Sequence, residues 1–512
     1  MSKRTNKVVF KPYTPNQIML LPPSLDEKIA ENHPVRVVNQ VIERINIEPL
    51  EKKYEGGGTS SYHPKMLLKV TVYAYLNNIY SSRKIEDALQ QNIHFMWLSG
   101  MSEPDHNTIN RFRGERLKDV LKPIFVQTVQ LLAEAGLVSI KEAYVDGTKI
   151  EANANRYTFV WGNSIKKNKE KIKQQLKELW DYTQRIAEEE MKDTGPLVFE
   201  KIDAEKVRET IAEIDEALHG KEVDKKVRQK LNYARKTWPQ TLDKYQEQEK
   251  IMGKRNSYSK TDPDATFMRM KEDVMKNAQL KPGYNLQIST NNQIITNYTL
   301  HPNPADTTTL IPHLEEYKKH YRQSPETVVA DAGYGSEENY HYLAENKVEA
   351  YVKFSSFDEE QRTNFADKNR FQPNQFPYNS EGDCYICPAG KEMNKVRIEK
   401  QRSDNGYEKI LHLYQAQNCN NCPLKELCHN TPGNRIIKVN HDLQNYRERA
   451  RQNLNTELGA RYRKKRSCDV EPVFASLKHN KKFRRFNLRT KVKAEIETGL
   501  LAIAHNLKKM AA

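Results

Sequence analysis

The 512-residue chain carries 83 Lys and Arg against 67 Asp and Glu, a formal net charge of +16. This balance points to a polyanionic partner such as nucleic acid, because each neutralised phosphate releases counterions. No stretch reaches the roughly 18 apolar residues of a membrane span, the opening MSKRTNKVVFKPYTP lacks the apolar core of a secretion signal, and six cysteines are too few for a disulfide scaffold. A cytoplasmic, nucleoid-associated protein of about two to four structural units is expected.

Residues 1–138 read as helices broken by polar turns. Ser81-Ser82 offers an N-cap to the helix that begins near Arg83. Pro104-Asp105-His106-Asn107-Thr108 interrupts the pattern before Ile109. Short helices with such breaks suit a DNA-reading helix-turn-helix as well as a plain bundle. KEAYVDGTKIE (141–151) predicts a strand, and YTFVW (157–161) alternates Tyr157, Phe159 and Trp161 along a second.

Residues 163–279 change character. Ile165, Ile172, Leu176, Leu179 and Ile186 form one apolar stripe, and Val207, Ile211, Ile214 and Leu218 form another. With Thr194-Gly195-Pro196 between them, they predict a structural helical hairpin. Strands follow at 284–290 and 293–300, turned at Asn291-Asn292. An amphipathic helix spans 310–322, a short buried strand runs over 327–330, and another strand covers 349–354. Residues 355–455 are polar and Cys-bearing, with little helical pattern before Tyr446. A closing helix carries Ile496, Leu500, Ile503 and Leu507 on one stripe.

Asp146 and Asp331 share a local setting. Each is read as terminating an apolar strand with glycine close behind, where open α/β sheets place their sites. Glu471 lies in the helical stretch VEPVFASLK, with Lys478 about two turns on and on the same face. Three carboxylates suit magnesium, which prefers hard oxygen ligands and keeps several waters. Two such ions can serve both oxygens of a phosphodiester displacement.

The runs YVDGTKIEANANRYTFVW, GYNLQIST, VVADAGYGSEEN and VEPVFASLK together resemble the DDE insertion-sequence transposases, in the branch with an InsH-like N-terminal helical domain. The resemblance covers about residues 15–510. It implies an α/β, ribonuclease-H-like catalytic core, made of 139–162, 280–354 and 456–512. That core would be interrupted by a helical, coiled-coil-like insertion (163–279) and a Cys-rich insertion (355–455), and preceded by an all-α DNA-binding domain (1–138). It carries the catalytic and metal-binding roles onto Asp146, Asp331 and Glu471, with two Mg²⁺ or Mn²⁺ ions. Many relatives show Tyr-x2-Arg-x3-Glu-x6-Lys. Here Glu471 and Lys478 fit the last spacing, the expected Tyr and Arg positions hold Lys464 and Ser467, and Tyr462 and Arg466 stand out of register.

The segment 461–493 holds thirteen basic residues against two acidic ones, so Arg466, Lys478, Lys481, Lys482, Arg484 and Arg485 are the expected DNA contacts. Trp161 is a candidate platform for an unpaired terminal base. Cys384-x2-Cys387, Cys419-x2-Cys422 and Cys428 suggest a structural zinc site, with an iron–sulfur cluster as the alternative. The expected function is cut-and-paste transposition on double-stranded DNA, both terminal inverted repeats and target, by a homodimer. A catalytically silent DNA-binding relative and a metal-dependent nuclease without strand transfer are the alternatives.

Overall fold

The computed structural model describes residues 24–54, 61–192, 197, 199, 201–270, 279–403 and 405–511. The opening segment and the 194–196 break therefore lie outside the described residues.

A mixed six-stranded sheet organises the centre. Its strands are β1 (Glu142–Glu151), β2 (Thr266–Arg269), β3 (Leu280–Asn291), β4 (Ile294–His301), β5 (Thr327–Ala330) and β6 (Glu349–Val352). β1 pairs antiparallel with β3, and β3 pairs antiparallel with both β4 and β2. On its other edge β1 pairs parallel with β5, which pairs parallel with β6. The β3–β4 turn falls on Asn292-Gln293, both at positive φ (54° and 61°). That is the two-residue geometry whose twist matches a hairpin, one residue later than the sequence suggests.

The expected helix after Ser81 forms as Ser82–Gln91, and the one expected from Ile109 begins earlier, inside the predicted break, as His106–Arg111 after Asp105, whose carboxylate accepts from Thr108 N. They do not stand apart from the rest. The closing helix Lys491–Met510 packs between Pro64–Leu76, Leu121–Glu134 and β4 in one continuous apolar core. A buried polar knot ties the pieces: Glu497 accepts from Tyr75 Oη at 3.0 Å and from the backbone of Asn487 and Leu488 at 2.7 and 2.9 Å. Burial pushes the Glu497 carboxyl up, and these donors pull the other way.

Two regions differ from the sequence reading. The region 163–279, read as a helical hairpin, holds three helices among its described residues, Gly162–Ile186, Ala204–Ala217 and Lys225–Met252, packed on their own core. The third escapes notice because its buried positions are few, with Leu231, Ala234, Trp238 and Leu242 set in a charged sequence. Past it, Ser257–Ser259 pairs with Phe159–Trp161, and β2 joins the central sheet. The Cys-bearing region is a five-stranded antiparallel sheet, ordered Ile436–Val439, Glu408–Ala416, Glu392–Arg402, Cys384–Ile386 and Tyr378–Asn379. Its longest strand is exposed at most positions, so it shows no apolar alternation to read.

Candidate active site

The parallel ladder brings the two aspartates together. Glu142–Val145 pairs in register with Thr327–Ala330, so Val145 faces Ala330 and the next residues are Asp146 and Asp331. The strand read over 141–151 forms as Glu142–Glu151, but Asp146 does not terminate it, because β3 goes on pairing with its other edge. What stops at Asp146 is the parallel neighbour. There the sheet opens, as it does at the carboxyl ends of parallel strands generally.

Asp331 caps a short 3-10 turn through Oδ1, which accepts from Gly333 N at 2.8 Å. Asp146 Oδ1 accepts from Gly147 N at 2.8 Å. The remaining oxygens meet one guanidinium: Arg466 Nη2 lies 3.0 Å from Asp146 Oδ2 and 3.6 Å from Asp331 Oδ2. Sequence reasoning assigns Arg466 to DNA, whereas the structure places it on the carboxylates.

A third acid, Asp306, was missed because its surroundings, HPNPADTTTL, show neither strand nor apolar run. Asp306 Oδ1 accepts from Asn285 Nδ2 at 2.7 Å and Gln287 Nε2 at 3.0 Å, and Tyr334 Oη donates to Gln287 Oε1. Burial, then the charges of Asp306, Asp146 and Asp331, hold the Tyr334 phenol well above its usual range. Gly147 is required by this layer. A Cβ there would stand 2.2 Å from Gln287 Nε2 and 2.8 Å from Asp306 Oδ1.

The helix Glu457–Asp469 lies over β5 and β6 and carries Arg466. Its far end is pinned by Asp469, whose carboxylate accepts from Asn292 N at 2.8 Å and Gln293 N at 3.0 Å at the hairpin turn. Glu471 follows at the start of Glu471–Ala475, exposed and without an ion pair among the described residues. The helix then widens to π geometry over Ser476–Asn480. This widening breaks the two-turn phase, so Lys478 is buried while Glu471 faces solvent. Asp146 and Asp331 are thus brought together and Glu471 is not seen to join them. Among the described residues no three His, Cys, Asp or Glu side chains converge at metal-ligand spacing.

The basic segment divides by burial. Lys482, Arg484 and Arg485 are exposed, while Lys481 is 1% exposed with Nζ on the carbonyls of Tyr75 and Leu76 at 3.2 and 3.4 Å. Burial lowers its pKa to about 8, and Lys481 closes the end of helix Pro64–Leu76 instead of facing a ligand. A polar cleft between His106–Arg111 and Asn487–Lys493 is lined by Asn107, Arg111, Asn153, Arg489 and Lys493, none singled out by sequence. Trp161 packs on Phe159 and Phe267 with centroids 6.2 and 5.8 Å away, and Tyr157 stands free of that cluster at 85% exposure. Cys387, Cys419, Cys422 and Cys428 line one cavity, whereas Cys384 sits in its strand with Sγ beside Gly382.

Residues 386–511 match the family model described as Transposase DDE domain, and residues 23–115 match that described as Transposase domain (DUF772). The comparisons with curated proteins and with solved structures give no match.

Proposed function

We propose, taking as premise that the chain is a transposase of the DDE insertion-sequence type, that it cleaves DNA at transposon ends and joins them to target DNA at Asp146 and Asp331, with Glu471 completing the set. The observation carrying this reading is the register of β1 on β5, which sets the two aspartates side by side on one guanidinium. The strand order β4-β3-β1-β5-β6, an antiparallel hairpin beside a parallel run, supports a ribonuclease-H-like core. The separate apolar cores of the three-helix region and the Cys-bearing sheet, apart from the one core that the N-terminal helices share with the central sheet, support the two proposed insertions.

The residues fit a divalent cation. Two carboxylates already turn one oxygen each toward a shared positive group, and oxygen donors suit magnesium or manganese. Bound there, such ions supply the charge that stabilises attacking and leaving oxygens in an in-line phosphodiester displacement. The chain's own residues orient the substrate. Exposed Lys482, Arg484 and Arg485, with Arg111, Arg489 and Lys493 in the polar cleft, contact phosphates and give the position of the duplex. Asp469 holds the end of the preceding helix to the hairpin turn, and Glu471 starts the next helix two residues on. Two ends must react in one complex, so a dimer assembles on DNA.

The test is excision and target joining by purified protein on DNA carrying the element's ends. Asp146→Ala and Asp331→Ala should lose both activities by at least about 1000-fold, as expected when a transition-state contact is removed, while still binding the ends. Activity equal to wild type in either variant would refute the assignment, and cleavage without joining would make the protein a nuclease.

A further inference from the structure

The Cys-bearing unit has a very small interior. Its apolar core is eight buried residues centred on Tyr385, Met393 and Tyr414, beneath a sheet whose longest strand is largely exposed. Units with so little core depend on a staple, a disulfide or a structural metal. All six cysteines are free thiols.

Three separate turns deliver four of these thiols to one cavity. Cys387 opens a tight turn in which Gly390 N returns to Cys387 O at 2.8 Å and Gly390 takes φ +75°. Cys419 and Cys422 bracket a second turn, closed by Cys422 N on Cys419 O at 3.4 Å with Asn421 at φ 60°. Cys428 ends the short helix Lys425–Cys428. Arg435, on the neighbouring strand's approach, donates from Nη1 to Cys428 Sγ at 2.7 Å and from its backbone N to Cys419 Sγ at 3.4 Å. Ligand thiolates commonly take outer hydrogen bonds of this kind. His429, lining the same cavity, leaves a buried Nε2 with no partner.

We propose that Cys387, Cys419, Cys422 and Cys428 bind one structural zinc ion, and that Cys384 is not a ligand. Tetrahedral sulfur coordination takes four thiolates, and the Cys419–Cys422 knuckle with Cys387 and Cys428 supplies them. The thiols do not yet stand at ligand spacing, so binding turns them into the cavity they line. The consequence reaches the active site. Beyond the stapled end, the hairpin of Glu392–Arg402 and Glu408–Ala416 carries a tip that meets the helix following Asp331, with Ser403 on Glu338 at 3.3 Å and Tyr407 on Glu337 at 3.2 Å. Zinc therefore holds the arm that braces this helix.

The experiment uses the full-length protein, grown with added zinc and purified without chelator. Elemental analysis should find about one zinc per chain, as a closed structural site requires. Cys419→Ser and Cys428→Ser should lose it, and Cys384→Ser should keep it. Where a serine variant does not fold, alkylation of wild type followed by mass spectrometry decides. The four proposed ligands should be protected until a chelator is added, with Cys384 labelled equally in both conditions. Absence of zinc, iron in its place, or zinc lost as fully in Cys384→Ser would overturn the proposal.

Discussion

Replacing Arg466 by Gln removes the guanidinium that Asp146 and Asp331 share at 3.0 and 3.6 Å. At an effective dielectric near 20, contacts of that length are worth about 5 kcal/mol each before desolvation. The side chains are 17%, 18% and 44% exposed for Arg466, Asp146 and Asp331, so solvent screening and desolvation reduce the net loss to about 1–3 kcal/mol. Thermal melts in chelator should therefore show Arg466→Gln lowered by roughly 2–12 °C, using about 2–4 °C per kcal/mol for a folding unit of this size. Magnesium or calcium should then close the gap. In wild type the ion must displace the guanidinium, whereas in the variant that competing positive group is gone. The rise in Tm on adding the ion should be larger in Arg466→Gln by that same increment, on top of the mass-action gain of about 2.7 kcal/mol at a hundredfold excess over Kd. Equal rises in both proteins, or a variant as stable as wild type in chelator, would refute the view of Arg466 as the counter-ion of this pair.

Gly147→Ala should lower stability by about 1–3 kcal/mol and abolish cleavage, since its Cβ would strike Gln287 and Asp306; denaturant melts and end-cleavage assays check both. Lys481→Met should leave DNA affinity unchanged while lowering stability by about 1–2 kcal/mol, because its ammonium closes a helix end. Arg485→Ala should instead weaken DNA binding across sequences and lessen the salt slope by about 1 in titrations at several ionic strengths. His505 is buried with Nε2 donating to Gln293 O at 2.9 Å, and burial lowers its pKa to about 4 from 6.5. The unfolded chain then binds the extra proton first, so stability falls as pH drops from 6.5 towards 4, by roughly 3 kcal/mol at most. His505→Gln should flatten that acid limb in part, with other buried histidines, among them His301, lowered to about 4, and His313, held well below its usual value, keeping the remainder.

Much of the central sheet could be read directly. TVVA and the alternation across 280–301 announce their strands because burial imposes period and composition on them. The same holds for the closing helix, whose four stripe residues are all buried. Local pattern also singled out Asp146 and Asp331, since an apolar run followed by Asp with Gly close behind is a local event. It could not show that Val145 and Ala330 are partners, because strand register is settled between segments almost two hundred residues apart. Asp306, Arg466 and Asp469 owe their places to contacts with no sequence period: an amide ladder on β3, a helix laid over β5, and a carboxylate on a hairpin turn. The third helix of the 163–279 region and the Cys-bearing sheet were hidden for the opposite reason, as elements with few buried positions and exposed faces leave little hydrophobic pattern. Composition, charge and the strand-end acids were thus determined by the sequence alone. Which acids meet, which arginine stands between them, and which lysines are buried away from any DNA were decided only by tertiary packing, because those outcomes depend on register and burial between distant segments.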